Sequence, residues 1–283
     1  MVHDSVIISF SIYFLLGLFP LALDIPYTKA LPKGIGWIKK TTQTNVGSIS
    51  VSAAIAGSSN GQRVVFIHGS PGEAGVWAGF LANVPKGFEF VAVDRPGFGR
   101  SITSEPTNSL QSQAQALRPF LYTADNRPVL VVGHSFGGCI AATLAALYPD
   151  RVAGMLQVAG LLNPYGQETR LVQYVVYLPP FRWTFKQYLF NSNAERMDLG
   201  DELKWLEPKL AHIKIPVTIF HAKNDRSVAF HNVSYMKKRL GSKDITLKIY
   251  SGDDHFLPWS QEPDIRTAIK RLSSKVHPKL EQP

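Results

Sequence analysis

The sequence predicts an α/β fold: a mostly parallel central sheet with helices on both faces and a helical cap inserted late in the chain. Three observations predict it. Short apolar runs rich in β-branched residues alternate with helix-forming segments over short connections, a pattern that builds parallel sheets. The polar residues able to do chemistry fall just after such runs, at 68–72, 94–101, 133–138, Asp225 and His255, where open α/β sheets place their ligands. The alternation breaks once, from Leu161 to Ala211. There nine of 51 residues are aromatic, about 18% against 11% for the whole chain, and the excess marks an inserted unit.

The totals agree with one large domain carrying an insertion. The chain has 283 residues, 45% hydrophobic and 18% charged, enough to bury a sizeable core and to exclude global disorder. The formal charge of +9 raises the question of an anionic partner. Its Lys and Arg are scattered, however, and the densest groups are Lys39-Lys40, Lys237-Lys238-Arg239 and the stretch from Lys270 to Lys279. No nucleic-acid motif accompanies them, so nucleic acid is not an expected partner. They read as a solvated basic face suited to anionic lipid. The single cysteine, Cys139, allows no internal disulfide and is expected to be a buried structural thiol. No Cys/His cluster has metal-ligand spacing, and neither a metal nor an organic cofactor is implied.

Taken in order, the chain opens with an apolar segment, Val6 to Leu23, broken only by Ser9, Ser11, Gly17 and Pro20. Its length lies between a membrane span and a long signal-peptide core. No Lys or Arg precedes it, and Leu21-Ala22-Leu23 is a poor cleavage site. The expectation is an uncleaved single anchor within residues 1–24, associated with the membrane through residues 6–23. Lys29, Lys33, Lys39 and Lys40 follow it, which by the positive-inside rule turns the rest of the chain to the cytoplasm. An exported, periplasm-facing domain is the alternative. Residues 25–34, with Pro26, Pro32 and Gly34, read as a linker.

The first part of the core spans 35–160. Two strands joined at Asn45-Val46-Gly47 come first, and Ser48-Ile49-Ser50-Val51-Ser52 alternates as a half-buried antiparallel strand does. Arg63 to Ile67 and Phe88 to Val93 are short apolar strands, with a helix from Ala74 to Ala82 between them. Leu110 to Leu121 is a helix rich in Gln and Ala. The cap follows at 161–211. The second part of the core, 212–275, holds strands at Val217–Phe220 and Ile245–Tyr250 and a closing helix with Ile265, Ala268, Ile269 and Leu272 on one face. Residues 276–283 form a tail.

The stretch Val129 to Gly138 carries the most specific signal. Four apolar residues break into Gly133-His134-Ser135-Phe136-Gly137, and a helix is expected from Cys139 to Leu147. Strand, Gly-X-Ser-X-Gly turn and helix make a nucleophile elbow, which holds a serine in a strained turn with its Oγ exposed. A serine that merely capped the helix would leave the two flanking glycines unexplained. A Cβ at either glycine would collide with the neighbouring strand or helix. Arg151 to Val158 is the next strand.

With His68-Gly69-Ser70-Pro71-Gly72, Asp94-Arg95-Pro96-Gly97-Phe98-Gly99-Arg100-Ser101, the elbow, Asp225 and His255 occurring in that order, the chain resembles the α/β-hydrolase superfamily. The resemblance covers about Ile35 to Leu272 and is to its serine-nucleophile, capped, lipase- and esterase-like members. It implies Ser135 as nucleophile, His255 as base and Asp225 as the acid behind the base, in the family's order Ser, Asp, His. It also implies an oxyanion hole from the backbone N–H groups of Ser70 and Phe136.

The residues support those roles chemically. A serine hydroxyl needs a base within reach, and His255 sits in a loop after the last strand, beside Gly252. His134 should point away from the serine, and His68 should brace the oxyanion loop. Asp253 and Asp254 rival Asp225 by sequence, but neighbours in the chain rarely orient an imidazole from behind. Residues 94–101 should form a scaffolding turn. The expected activity is hydrolysis of an ester or related acyl bond of a small, largely apolar substrate, with no cofactor. An acyltransferase, a carbon–carbon bond hydrolase or a non-catalytic ligand-binding module on the same fold remain open.

Overall fold

The computed structural model describes residues 29–165, 174 and 186–277. The apolar segment 6–23, the first residues of the linker (25–28), residues 166–173 and 175–185 of the cap and residues 278–283 of the tail lie outside the described residues. Among the described residues no helix is long and apolar enough to cross a membrane.

Eight strands form one sheet: β1 (Gly36–Thr44), β2 (Gly47–Gly57), β3 (Gln62–Ile67), β4 (Phe88–Val93), β5 (Val129–His134), β6 (Val152–Val158), β7 (Val217–Ala222) and β8 (Ile245–Tyr250). Their spatial order is β1-β2-β4-β3-β5-β6-β7-β8. β1 pairs antiparallel with β2 and β2 with β4, while every pairing from β4 through β3 to β8 is parallel. The mostly parallel sheet expected from the alternation is therefore present. Ile49 and Val51 are buried on β2 while Ser48 and Ser50 are not, as the period-two pattern predicts.

Why the central strands read as unbroken apolar runs is visible in the two cores. Val65, Ile67, Val129, Val131 and Met155 face one core, and Val64, Phe66, Leu130, Val132 and Leu156 face the other. A strand covered on both faces has no solvent side to mark with polar residues. The first core is closed by α2 (Leu110–Leu117), α3 (Phe136–Leu147), α4 (Gln187–Leu210) and α5 (His231–Arg239). The second is closed by α1 (Ala78–Ala82), α6 (Leu257–Ser260) and α7 (Glu262–Val276). On α7, Ile265, Ala268, Ile269 and Leu272 are all buried, the face picked out by their spacing. Phe66 packs within 5.0–5.3 Å of the rings of Trp77, Phe80 and Phe90. Truncating such a side chain to alanine costs about 3–5 kcal/mol.

Helix boundaries differ from expectation in three places. The first turn of the segment from Ala74 is a 3-10 turn, Ala74–Trp77, before α1 begins. The α-helix from Leu110 ends at Leu117, and Arg118–Leu121 continue as 3-10. Pro119 lacks the N–H that an α-helix would need there. The helix after the elbow starts at Phe136 instead of Cys139. Gly137 and Gly138 are poor helix formers, yet they are required. A Cβ on Gly137 would meet Ile67 O and His68 O, and one on Gly138 would meet the Gln157 side chain and Gly160 Cα.

In the region of the expected cap, the described element is α4, a single 24-residue helix. Leu199, Leu203, Leu206 and Leu210 are buried along one stripe. Glu202 on α4 accepts from Leu110 N at 2.7 Å at the start of α2, and Asn191 Nδ2 donates to Gly97 O at 2.6 Å. The amino-terminal half of α4 therefore sits on the turn that follows β4.

Candidate active site

Ser135 stands between the end of β5 and the first residue of α3, with φ 53° and ψ −123°. A non-glycine residue at positive φ is strained, and such strain concentrates at functional sites. The geometry follows from close packing. A Cβ on Gly133 would meet Gly137 O, and one on Gly69 would lie 3.0 Å from Ser135 Cβ. Strand, helix and the loop after β3 thus converge on the serine with no room for side chains at the glycines. Phe136 N–H is the first of α3, and the first N–H groups of a helix have no partner within it. The positive end of the helix faces the same place.

Linked to Ser135 through its neighbour His134 is the pair that the sequence singles out. His255 Nδ1 donates to Asp225 Oδ2 at 2.8 Å. Both residues are buried. Asp225 Oδ1 accepts from Ser227 N and Val228 N, each at 2.8 Å. Burial pushes this carboxyl up, but the opposing pull of His255 and these donors leaves it below the usual carboxylate range. An ionised Asp225 holds the proton on Nδ1 and leaves the other ring nitrogen of His255 free to accept. The sequence rivals are engaged elsewhere. Asp253 accepts from Gln261 Nε2 at 2.6 Å and Asp254 from Phe256 N at 2.9 Å.

His134 has a part that the sequence did not reveal. Its Nε2 lies 3.0 Å from His255 O, and the two rings lie 4.9 Å apart. A backbone carbonyl can only accept, so Nε2 carries the proton. Burial and the neighbouring His255 lower its pKa to about 3. A neutral His134 therefore ties the strand bearing Ser135 to the loop bearing His255.

Against Ser135 itself lies the loop after β3. His68 Nδ1 donates to Gly69 O at 2.7 Å, and Arg95 N donates to His68 Nε2 at 3.0 Å. With one ring nitrogen donating and the other accepting, His68 is neutral, and burial first and the Arg95 charge second hold its pKa well below the ordinary value. It braces the loop, as the sequence suggests. Asp94 also has the scaffolding part expected, accepting from Ala74 N at 2.7 Å and Arg100 N at 2.9 Å.

Arg95 does more than form a turn. It is fully buried and paired with Glu195 of α4. Its Nε donates to His68 O at 3.0 Å and one terminal nitrogen to Gly69 O at 2.9 Å. Gln113 accepts from it at 2.8 Å, and both oxygens of Glu195 complete the set. All five guanidinium donors are used. Ser70 Oγ donates to Glu195 Oε2 at 2.5 Å. Arg95 had a weak sequence signal, its place directly after β4. Glu195 had one as well, since it lies four residues before Leu199 on the buried stripe of α4.

Cys139 donates to Leu161 O at 2.6 Å, and burial pushes its thiol well up. It is a structural thiol. Among the described residues no group of three or more His, Cys, Asp or Glu side chains could hold a metal ion.

A mostly parallel sheet with a strained serine at a strand–helix turn, and a buried His–Asp pair after the last two strands, marks the α/β-hydrolase class. The family model for the alpha/beta hydrolase fold matches residues 62–212, more than half of the chain, and the chain belongs to that family. Lipase LipV of Mycobacterium tuberculosis is 37% identical over 108 residues, 38% of this chain and 39% of that protein's own length. A 2-hydroxy-6-oxo-6-phenylhexa-2,4-dienoate hydrolase of Burkholderia cepacia is 26% identical over 220 residues, 70% of this chain and 73% of that one. Among solved structures, the monoacylglycerol lipase of Paleococcus ferrophilus superposes with a TM-score of 0.65 at 18% identity, covering 79% of this chain and 98% of that one. That likeness speaks for the fold alone.

Proposed function

We propose that the chain is a serine hydrolase that cleaves an ester or related acyl bond of a small, largely apolar substrate through an acyl-enzyme. The observation that carries this reading is a serine held at positive φ whose chain neighbour His134 is hydrogen-bonded to His255 of the buried His255–Asp225 pair. In the first half-reaction His255 takes the Ser135 proton as Oγ attacks the acyl carbon. The oxyanion of the tetrahedral intermediate is held by the N–H groups of Ser70 and Phe136. Collapse expels the alcohol, which leaves with the proton from His255. A water then gives its proton to His255, attacks the acyl carbon, and releases the acid and Ser135.

Replacement of Ser135 by alanine should abolish both ester turnover and labelling by a fluorophosphonate. Full activity in Ser135→Ala would overturn the assignment. A panel of acyl esters of graded chain length defines the acyl pocket by its optimum. The relative from Burkholderia cepacia favours a second reading, in which the same three residues cleave a carbon–carbon bond. Turnover of a 2-hydroxy-6-oxo dienoate in preference to every ester on the panel would select it.

We also propose that residues 6–23 tether the chain to the membrane with the hydrolase part on the cytoplasmic side, a reading supported by apolar length and by the lysines that follow. The full chain should remain in the membrane pellet after alkaline carbonate washing, and a chain starting at Ile25 should be soluble and equally active. Release of the full chain by carbonate would remove the tether from the proposal.

A further inference from the structure

The oxyanion side of Ser135 is organised from a distance, and Arg95 is the common point. Its terminal nitrogen bonds Gly69 O, which His68 Nδ1 also bonds. The Gly69–Ser70 peptide is trans. In a trans peptide the C=O and the following N–H point in opposite directions. Holding Gly69 O from two sides therefore fixes where Ser70 N–H points. The same guanidinium lies 4.9 Å from the ring of Phe136 and 4.5 Å from that of Phe98. One buried side chain thus touches the residue or peptide unit of each backbone donor that the serine reading requires.

Arg95 is in turn held by α4. Glu195 binds it through both carboxylate oxygens, and Glu195 Oε1 also accepts from Gln113 Nε2 at 2.9 Å. The fourth tie is Ser70 Oγ on Glu195 Oε2, so the loop is gripped through its side chain as well as its carbonyl. Glu195 is about 2% exposed, and among the described residues its side-chain ties run to the loop, Arg95 and α2. Packing of a hydrophobic core would not need a charge here. Apolar residues of similar volume commonly replace a buried ion pair without loss of stability.

Resting on the serine-hydrolase reading above, we infer that Glu195 and Arg95 are positioning residues for the oxyanion hole. Through them the seating of α4 sets how well Ser70 N–H and Phe136 N–H meet the developing oxyanion. Neither side chain takes or gives a proton in the reaction. Their effect is on the rate of acyl transfer after substrate has bound.

The test uses the full chain and expresses every rate per serine titrated with a fluorophosphonate, so that misfolded protein does not count. In Glu195→Gln the shape stays and the charge goes. Its kcat per titrated serine should fall about 10- to 100-fold, short of the loss from deleting a donor outright. KM should stay within about threefold, and affinity for a trifluoromethyl ketone, which forms a tetrahedral oxyanion adduct, should fall in parallel with kcat. The acid limb of the pH–rate profile should not move, since the base side is untouched. Unchanged kcat per titrated serine overturns the inference, whether or not the number of titratable sites falls. Should Glu195→Gln fail to fold, Ser70→Ala decides. It keeps the N–H and loses the Oγ tie, so kcat should fall about 3- to 10-fold as expected for one hydrogen bond, and no fall overturns the inference. Absence of wild-type labelling at Ser135 would instead sink the serine reading itself, and this inference with it.

Discussion

The two sides of Ser135 are built differently. The base side is built at the ends of sheet strands. Asp225 and His255 follow neighbouring parallel strands β7 and β8, and His134 is the serine's own neighbour, bonded to His255 O. Its fixed points are strand ends, and His134 and His255 are joined without any formal charge on His134. The oxyanion side is built between a loop and a helix outside the sheet. Its loop follows β3, yet it is held by Arg95 after β4 and by Glu195, about a hundred residues further on in α4. One side is placed by strand ends, while the other depends on a helix docked from outside the sheet. On the proposed reading, changes at α4 should alter the oxyanion side and leave the base side unchanged.

Variants on each side should separate the two. Asp225→Asn carries the largest expected effect, a fall in kcat on the order of 10⁴-fold, because the amide supports the wrong tautomer of the imidazole. The loss should be in kcat and should not be recovered by any change on α4. Retention of more than a tenth of wild-type kcat would break the assignment of Asp225 to the base side. Glu195→Gln comes next, with the loss in acyl transfer described above and no displacement of the pH profile. The two effects should multiply in the double variant, because the sides share no hydrogen bond through Glu195.

The smallest effect concerns His134. In His134→Phe the ring volume stays and the donor to His255 O goes, and kcat should fall about fivefold, the worth of roughly 1 kcal/mol in one hydrogen bond. In His134→Gln an amide donor remains and kcat should stay close to wild type. Stability against acid gives an independent measure. The buried neutral ring binds a proton only near pH 3, whereas in the unfolded chain it does so below its ordinary value of 6.5. Between those values the unfolded state holds more protons, so this contribution is complete above pH 6.5 and is lost as the pH falls. The slope is up to about 1.4 kcal/mol per pH unit. Burial raises the carboxyls of Glu73, Asp94 and Glu202, which acts in the opposite sense. The difference between wild type and His134→Gln, followed by urea unfolding from pH 6 to pH 4, therefore isolates the histidine. Parallel curves would show that His134 is not held neutral by the fold.

Much of this protein was legible in its residues taken alone. Apolar runs covered on both faces announce parallel strands, because such strands carry no polar alternation. The elbow announces itself through Gly133 and Gly137, because backbone approaches side chains cannot survive. The order Ser135, Asp225, His255 is legible through the resemblance to the α/β-hydrolases, which use that order, and each of the three follows an expected strand. The residues already disfavour Asp253 and Asp254, and to that the tertiary structure adds the hydrogen bond from His255 Nδ1 to Asp225 Oδ2, which depends on how β7 and β8 lie side by side. The tertiary structure alone brought Arg95 and Glu195 together. An arginine in a glycine-rich turn looks like a surface charge, and a glutamate in a polar helix looks solvated. Their burial and pairing arise from the docking of α4 against the sheet, a long-range contact that no local pattern encodes.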